Sequence, residues 1–209
     1  MLNQKDFDLW ADGYDRSVGM SEESNSYPFA GYKKVLNRIY GEVLTKKEPE
    51  VLDIGFGTGT LTSRLYEQGC HITGVDFSQR MIELAQEKMP DAELLQGDFT
   101  KGLPEKLLQK KYDFIVATYS LHHLTEEGKE ELIDTLLPTL KEGGKILIGD
   151  VAFRERRELE KCREECSGSW DSDEIYFVFE ELKKRLCASV TFERMSFCAG
   201  VFVIERNGL

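Results

Sequence analysis

No window of this chain approaches the run of about twenty apolar residues that a membrane span requires. Met1-Leu-Asn-Gln-Lys-Asp6 likewise lacks the apolar core of a signal peptide. Both absences lead to the expectation of a cytoplasmic protein with no membrane partner. Positive charge is also in short supply: 27 Lys and Arg face 38 Asp and Glu, a net charge of −11. Such a field repels phosphate backbones, which disfavours a tRNA, rRNA or DNA partner. The five cysteines, at 70, 162, 166, 187 and 198, are odd in number and without zinc-ribbon spacing, so reduced thiols are expected. Cys162 and Cys166 share one face of an expected helix, yet a metal would need two further ligands. His71 on one strand, and His122 and His123 at the end of another, do not supply them by spacing. A hard-oxygen cage is missing too, so no metal is expected. Internal repeats, low-complexity tracts and linkers are absent, and 209 residues suit one domain with a sizeable core.

What the chain does have is Val51-Leu-Asp-Ile-Gly-Phe-Gly-Thr-Gly-Thr60, an apolar run that breaks into alternating glycines before a helical pattern. Gly55, Gly57 and Gly59 allow a tight turn and let a ligand lie against the main chain, since no Cβ intrudes. The following helix presents its unpaired N–H groups at that turn. A phosphate-cradling loop would need Lys and Ser or Thr after the glycines. A dinucleotide fingerprint would need a third glycine where Thr60 stands. Asp53 lies two residues before the first glycine. A second strand, Cys70–Val75, ends in Asp76, placed to accept both hydroxyls of a ribose. A third, Ala92–Gln96, ends in Gly97-Asp-Phe99, where Asp98 can accept an exocyclic amine and an apolar side chain can cover the ring.

The ordered set Asp53-Ile-Gly-Phe-Gly-Thr-Gly59, Gly74-Val-Asp-Phe-Ser78, Gly97-Asp-Phe99, Tyr112-Asp-Phe-Ile-Val116 and Leu140-Lys-Glu-Gly-Gly-Lys-Ile-Leu147 resembles the class I S-adenosylmethionine-dependent methyltransferases, over roughly 47–150. The resemblance implies an α/β three-layer sandwich around a seven-stranded, mostly parallel sheet of Rossmann-like type with its last strand antiparallel. It also implies S-adenosyl-L-methionine as cofactor. The glycine loop (Asp53, Gly55, Phe56, Gly57, Gly59) would lie beside the methionine portion, Asp76 with Phe77 at the ribose, and Gly97, Asp98 and Phe99 at the adenine. Met81, Thr118, Tyr119 and, from an N-terminal helix, Tyr14 complete the expected contacts. The acceptor is expected to be a small molecule. Two other readings stay open: a module that binds the cofactor without catalysis, and an NAD-dependent oxidoreductase, since Asp76 would serve that ribose equally well.

Along the chain, residues 1–44 read as an N-terminal helical cap in which Trp10, Tyr14, Tyr27 and Phe29 could form a lid hinged at glycines and the polar run 21–26. Residues 45–150 read as the cofactor-binding core, with helices over Leu61–Gly69, Ser78–Met89 and Glu126–Lys141 and strands over Tyr112–Ala117 and Lys145–Gly149. Residues 151–209 read as variable helices, one of them Asp173–Leu186, followed by the runs Val190–Phe197 and Val201–Arg206. The short link between those runs demands an antiparallel hairpin. In Thr118-Tyr-Ser-Leu-His-His-Leu124, His122 and His123 are the candidate catalytic residues, because an imidazole with a pKa of about 6.5 can move a proton at neutral pH.

Overall fold

The computed structural model describes residues 25–208; Trp10 and Tyr14 lie outside them. The near-continuous apolar runs become β1 (Glu50–Ile54), β2 (His71–Asp76), β3 (Glu93–Gln96), β4 (Tyr112–Thr118) and β5 (Leu140–Phe153). These five run parallel to one another, as expected of strands covered on both faces. The C-terminal hairpin forms β7 (Ser189–Arg194) and β8 (Ala199–Glu205), and β8 runs antiparallel to both β5 and β7. The order is β3-β2-β1-β4-β5-β8-β7, with a two-residue strand β6 (Phe177–Val178) added beside the end of β5. The seven-stranded path is the expected one; β6 is the addition.

The pleat sends alternate residues to two cores. Val51, Phe114, Val116 and Leu147 join one, under α1 (Tyr32–Val43), α2 (Thr62–Glu67), α3 (Gln79–Lys88) and α6 (Arg156–Glu165). Leu52, Ile115, Ile146 and Ile148 join the other, under α4 (Glu105–Leu108), α5 (Glu126–Leu136) and α7 (Phe179–Arg185). α1 buries Val35, Leu36, Ile39 and Val43, a docking worth about 1.5–3 kcal/mol per side chain. It lies so close to β5 that a Cβ on Gly149 would collide with Val35 and stand 2.9 Å from Ile39 Cδ1. Gly149→Val would therefore lift α1 from the sheet. Among the described residues, no helix is long and apolar enough to cross a membrane.

Three boundaries differ most from the sequence reading. The helix expected over 126–141 stops at Leu136, because Pro138 stands where the helix would need an N–H. β5 starts at Leu140 rather than at Lys145, absorbing Gly143 and Gly144 where its register with β4 shifts between Tyr112 and Phe114. The helix expected over 173–186 begins only at Phe179. The six residues before it instead run past the end of β5, and Phe177 and Val178 pair there with Ala152 and Phe153. A tertiary pairing has overridden helical spacing.

Candidate active site

The three glycines after β1 all have positive φ, at 73°, 57° and 77°, and they do three different jobs. A Cβ on Gly55 would sit 2.5 Å from Ser120 Cβ, so this glycine admits the loop after β4. Ser120 Oγ then donates to the Ile54 carbonyl at 2.8 Å and ties the two strand ends together. A Cβ on Gly59 would meet Met89 Cε at 3.1 Å and Ala85 Cβ at 3.3 Å, on the α3 side. Only Gly57 has open space, with nothing within 4 Å of a would-be Cβ. The opening that the sequence attributes to the whole loop belongs to its middle residue. Phe99 Cε1 lies 3.4 Å from the Gly55 Cβ position, so β3's end and the loop are brought together.

Asp76, buried at the end of β2, accepts from Gly57 N at 2.8 Å and from Ser78 N at 2.9 Å. Its carboxylate thus holds the open glycine and the start of α3, whose N-cap Ser78 accepts from Met81 N at 3.1 Å. Asp53 is buried beneath the loop, and only one of its oxygens is used, as acceptor from Thr62 Oγ1. Its Oδ1 has no partner among the described residues. Burial first, and then the charge of Asp76, push its pKa up to about 7 against the opposing Thr62 bond. A buried carboxylate left half-satisfied beside an open main-chain cradle fits a ligand that carries a positive group. Asp98 accepts from Thr100 N at 3.1 Å and pairs with Lys101 at 2.8 Å, capping the turn Phe99–Lys101. Burial alone would raise its pKa, but Lys101 and Thr100 outweigh it and hold the carboxyl below its usual range.

Two expected contacts turn their side-chain direction elsewhere, and a third is buried. Phe56 is core: its ring fills the space over Gly74, where a Cβ would meet Phe56 Cδ1 at 2.6 Å. Gly97 faces inward, its Cβ position 2.9 Å from Val75 Cγ2. Met81 is buried in α3. Phe56 and Gly97 therefore have only main-chain atoms to offer at a cofactor. Phe77 and Thr118 are half-buried at their strand ends, beside Asp76 and Tyr119 respectively. Tyr14 lies outside the described residues.

Beyond β4 the chain turns sharply, with Tyr119 at a φ of 51° that is uncommon for a bulky residue. Tyr119 N donates to the Gly149 carbonyl at 2.8 Å, and its ring stands 5.4 Å from Phe29 and 5.1 Å from Tyr32. The turn Leu121–His123 follows. His122 is buried, its Nδ1 2.7 Å from Asp150 Oδ1 and its Nε2 3.4 Å from Glu174 Oε1. Burial opposes its charge, but Asp150 and then Glu174 prevail and raise its pKa. Asp150 at Nδ1 orients the ring and leaves Nε2 turned toward Glu174. His123, its ring 4.3 Å from that of His122, is pushed down to about 4 by burial and by its neighbour's charge. Around them Tyr27 stacks on Trp170 at 5.1 Å, and Tyr176 meets Trp170 edge-on at 4.9 Å. Tyr27 and Tyr176 are joined through their hydroxyls, and Glu174 accepts from Tyr176. Glu174, Tyr176 and Trp170 were not foreseen; the first two lie in the segment expected to be helical and Trp170 just before it, and no local pattern marks them.

Comparison with known proteins gives this arrangement relatives. Residues 51–144 match the model of a family described as "Methyltransferase domain". An uncharacterized methyltransferase of Geobacillus sp. (strain WCH70) is 42% identical over 160 residues, which is 76% of this chain and 72% of that protein. Among solved structures, the DhpI–SAH complex superposes with a TM-score of 0.74 at 17% identity, covering 99% of this chain and 96% of the other. Magnesium protoporphyrin IX methyltransferase of Synechocystis PCC 6803 with bound SAH gives 0.64 at 16% identity, covering 86% and 85%.

Proposed function

We propose, from the premise that this chain belongs to the class I S-adenosylmethionine-dependent methyltransferases, that it methylates a small-molecule acceptor by in-line displacement. S-adenosylmethionine is the cofactor of this family, and the loop residues suit it. Gly57 leaves its main chain open to the methionine portion. Asp53 would satisfy its unused oxygen with the positive charge that portion carries, and Asp76 would accept the ribose hydroxyls on lone pairs beyond those that hold Gly57 and Ser78. Asp98, with the Phe99 ring beside Gly55, would take the adenine amine. Bound S-adenosylmethionine supplies a sulfonium methyl group that leaves its sulfur as the acceptor's lone pair takes the carbon. The protein's share of the rate is then alignment: acceptor and methyl held near contact distance convert a bimolecular step into an internal one.

The observation that carries the small-molecule reading is the wall after β4. Aromatic side chains of Tyr27, Phe29, Tyr32, Tyr119, Trp170 and Tyr176 crowd there with the carboxylates of Asp150 and Glu174. Carboxylates among these rings disfavour a polyanionic backbone, and the net charge of −11 agrees. His122 and His123 border that wall and set its charge. Incubation with methyl-labelled S-adenosylmethionine and a fractionated cell extract tests the reading. Label should enter the low-molecular-weight fraction; label confined to protein or RNA would contradict it.

A further inference from the structure

Within that wall, two imidazoles and a carboxylate converge. One nitrogen from each of His122 and His123 and one oxygen of Glu174 lie within 4.8 Å of one another. His122 Nε2 and Glu174 Oε1 stand 3.4 Å apart, and ligands about 2.0–2.2 Å from a tetrahedral ion are separated by about 3.4 Å. The outer contacts are those that a metal-binding histidine needs. His122 Nδ1 is held at 2.7 Å by Asp150, which leaves Nε2 as the ligating atom and fixes the ring's orientation. Asp150 is itself fixed, accepting from Val151 N at 2.7 Å, and its buried Oδ2 has no partner among the described residues. Glu174 is steadied by the Tyr176 hydroxyl. Two buried or half-buried carboxylates in one small region favour a positive occupant.

We propose that His122, His123 and Glu174 form a site for a divalent transition-metal ion of the zinc class, with Asp150 as the carboxylate that orients His122. Two imidazoles and one carboxylate suit Zn²⁺, Co²⁺ or Fe²⁺ better than Mg²⁺ or Ca²⁺, which prefer oxygen alone. Three protein ligands leave one tetrahedral position open. That position would hold a lone-pair heteroatom of the acceptor, and this last step rests on the methyltransferase reading; the metal site does not. Spacing does not reveal the site, because Glu174 lies 51 residues beyond His123 and is brought to it by the pairing of Phe177 and Val178 with β5 and by the bond from Ile175 N to the His122 carbonyl at 2.8 Å.

The test uses the full chain, freed of metal with a chelator and then titrated with Co²⁺ and with Zn²⁺. Co²⁺ should give the visible bands of a low-coordinate ion at one equivalent, and Zn²⁺ should displace it. Asp150→Asn should weaken Zn²⁺ binding by about 10–100-fold; His123→Gln and Glu174→Gln should weaken it further. Each variant's unfolding curve and S-adenosylhomocysteine affinity are measured in parallel. A wild-type chain that gives no such bands and takes up no Zn²⁺ overturns the proposal. So do folded His123→Gln and Glu174→Gln variants that bind Zn²⁺ as the wild type does. Stoichiometric metal uptake in a chain that fails to bind S-adenosylhomocysteine would support the metal site while sinking the cofactor reading.

Discussion

Asp53 and Asp113 sit on neighbouring strands of one sheet, both buried, at opposite ends of it. Asp113, at the start of β4, accepts from Lys46, from Lys141 at 2.8 Å and from Glu50 N at 2.8 Å. Burial would raise its pKa, but the two lysines and the N–H outweigh it and hold the carboxyl below its usual range. Asp53, near the end of β1, has one hydroxyl donor and a neighbouring acid, and its pKa climbs to about 7. Among the described residues, the same residue type is completed at the N-terminal end of the sheet and left incomplete at the C-terminal end. One end is scaffold. The other leaves a buried carboxylate oxygen without a partner among the described residues.

The largest break in this contrast should come from Gly57→Val. A Cβ there enters open space, so it should abolish S-adenosylhomocysteine binding in calorimetry. Its φ of 57° adds about 1–2 kcal/mol of backbone strain to the fold. A variant that binds normally would mean that the loop does not face the cofactor. Next, Asp76→Ala should weaken S-adenosylmethionine binding by roughly 1.5–3 kcal/mol, the worth of hydrogen bonds to a charged group. A loss below about threefold in a folded variant would move the ribose elsewhere.

Asp113→Asn should destabilise the fold by about 1.5–3 kcal/mol in denaturant titration and leave S-adenosylhomocysteine affinity unchanged. A change in affinity would erase the division between the two ends. The last contrast concerns pH. With a depressed folded pKa, Asp113 stabilises above its unfolded pKa of about 3.9, and this is lost as pH falls through its lower folded value. Asp53 has the opposite sign: its raised pKa makes its contribution greatest below pH about 4 and progressively lost up to pH about 7. Asp53→Asn should therefore gain stability at pH 8 relative to wild type, while Asp113→Asn loses it. Thermal melts at pH 5 and pH 8 that show no such crossing would remove the contrast.

Much of this architecture was legible in the sequence because parallel strands buried on both faces read as unbroken apolar runs. The hairpin β7–β8 followed from its short connection. What eluded the sequence depends on neighbours through space. Helical spacing at 173–186 lost to the pairing beside β5. Nothing local says that Gly55 yields to Ser120, Gly59 to α3 and only Gly57 to a ligand. The acids Asp53 and Asp76 were placed correctly at their strand ends, but the difference in how well each is satisfied is a property of the folded site. That Asp150 and Glu174 both close on His122 is likewise a property of the folded site.

The most direct test is the titration of the Asp53 carboxyl carbon by NMR, free and saturated with S-adenosylmethionine, with Asp53→Asn to assign the resonance. The free protein should show a pKa of about 7, falling when the cofactor's positive charge reaches the unused oxygen. A pKa in the ordinary carboxylate range, or one unmoved by saturating cofactor, would contradict a half-satisfied carboxylate kept for the ligand.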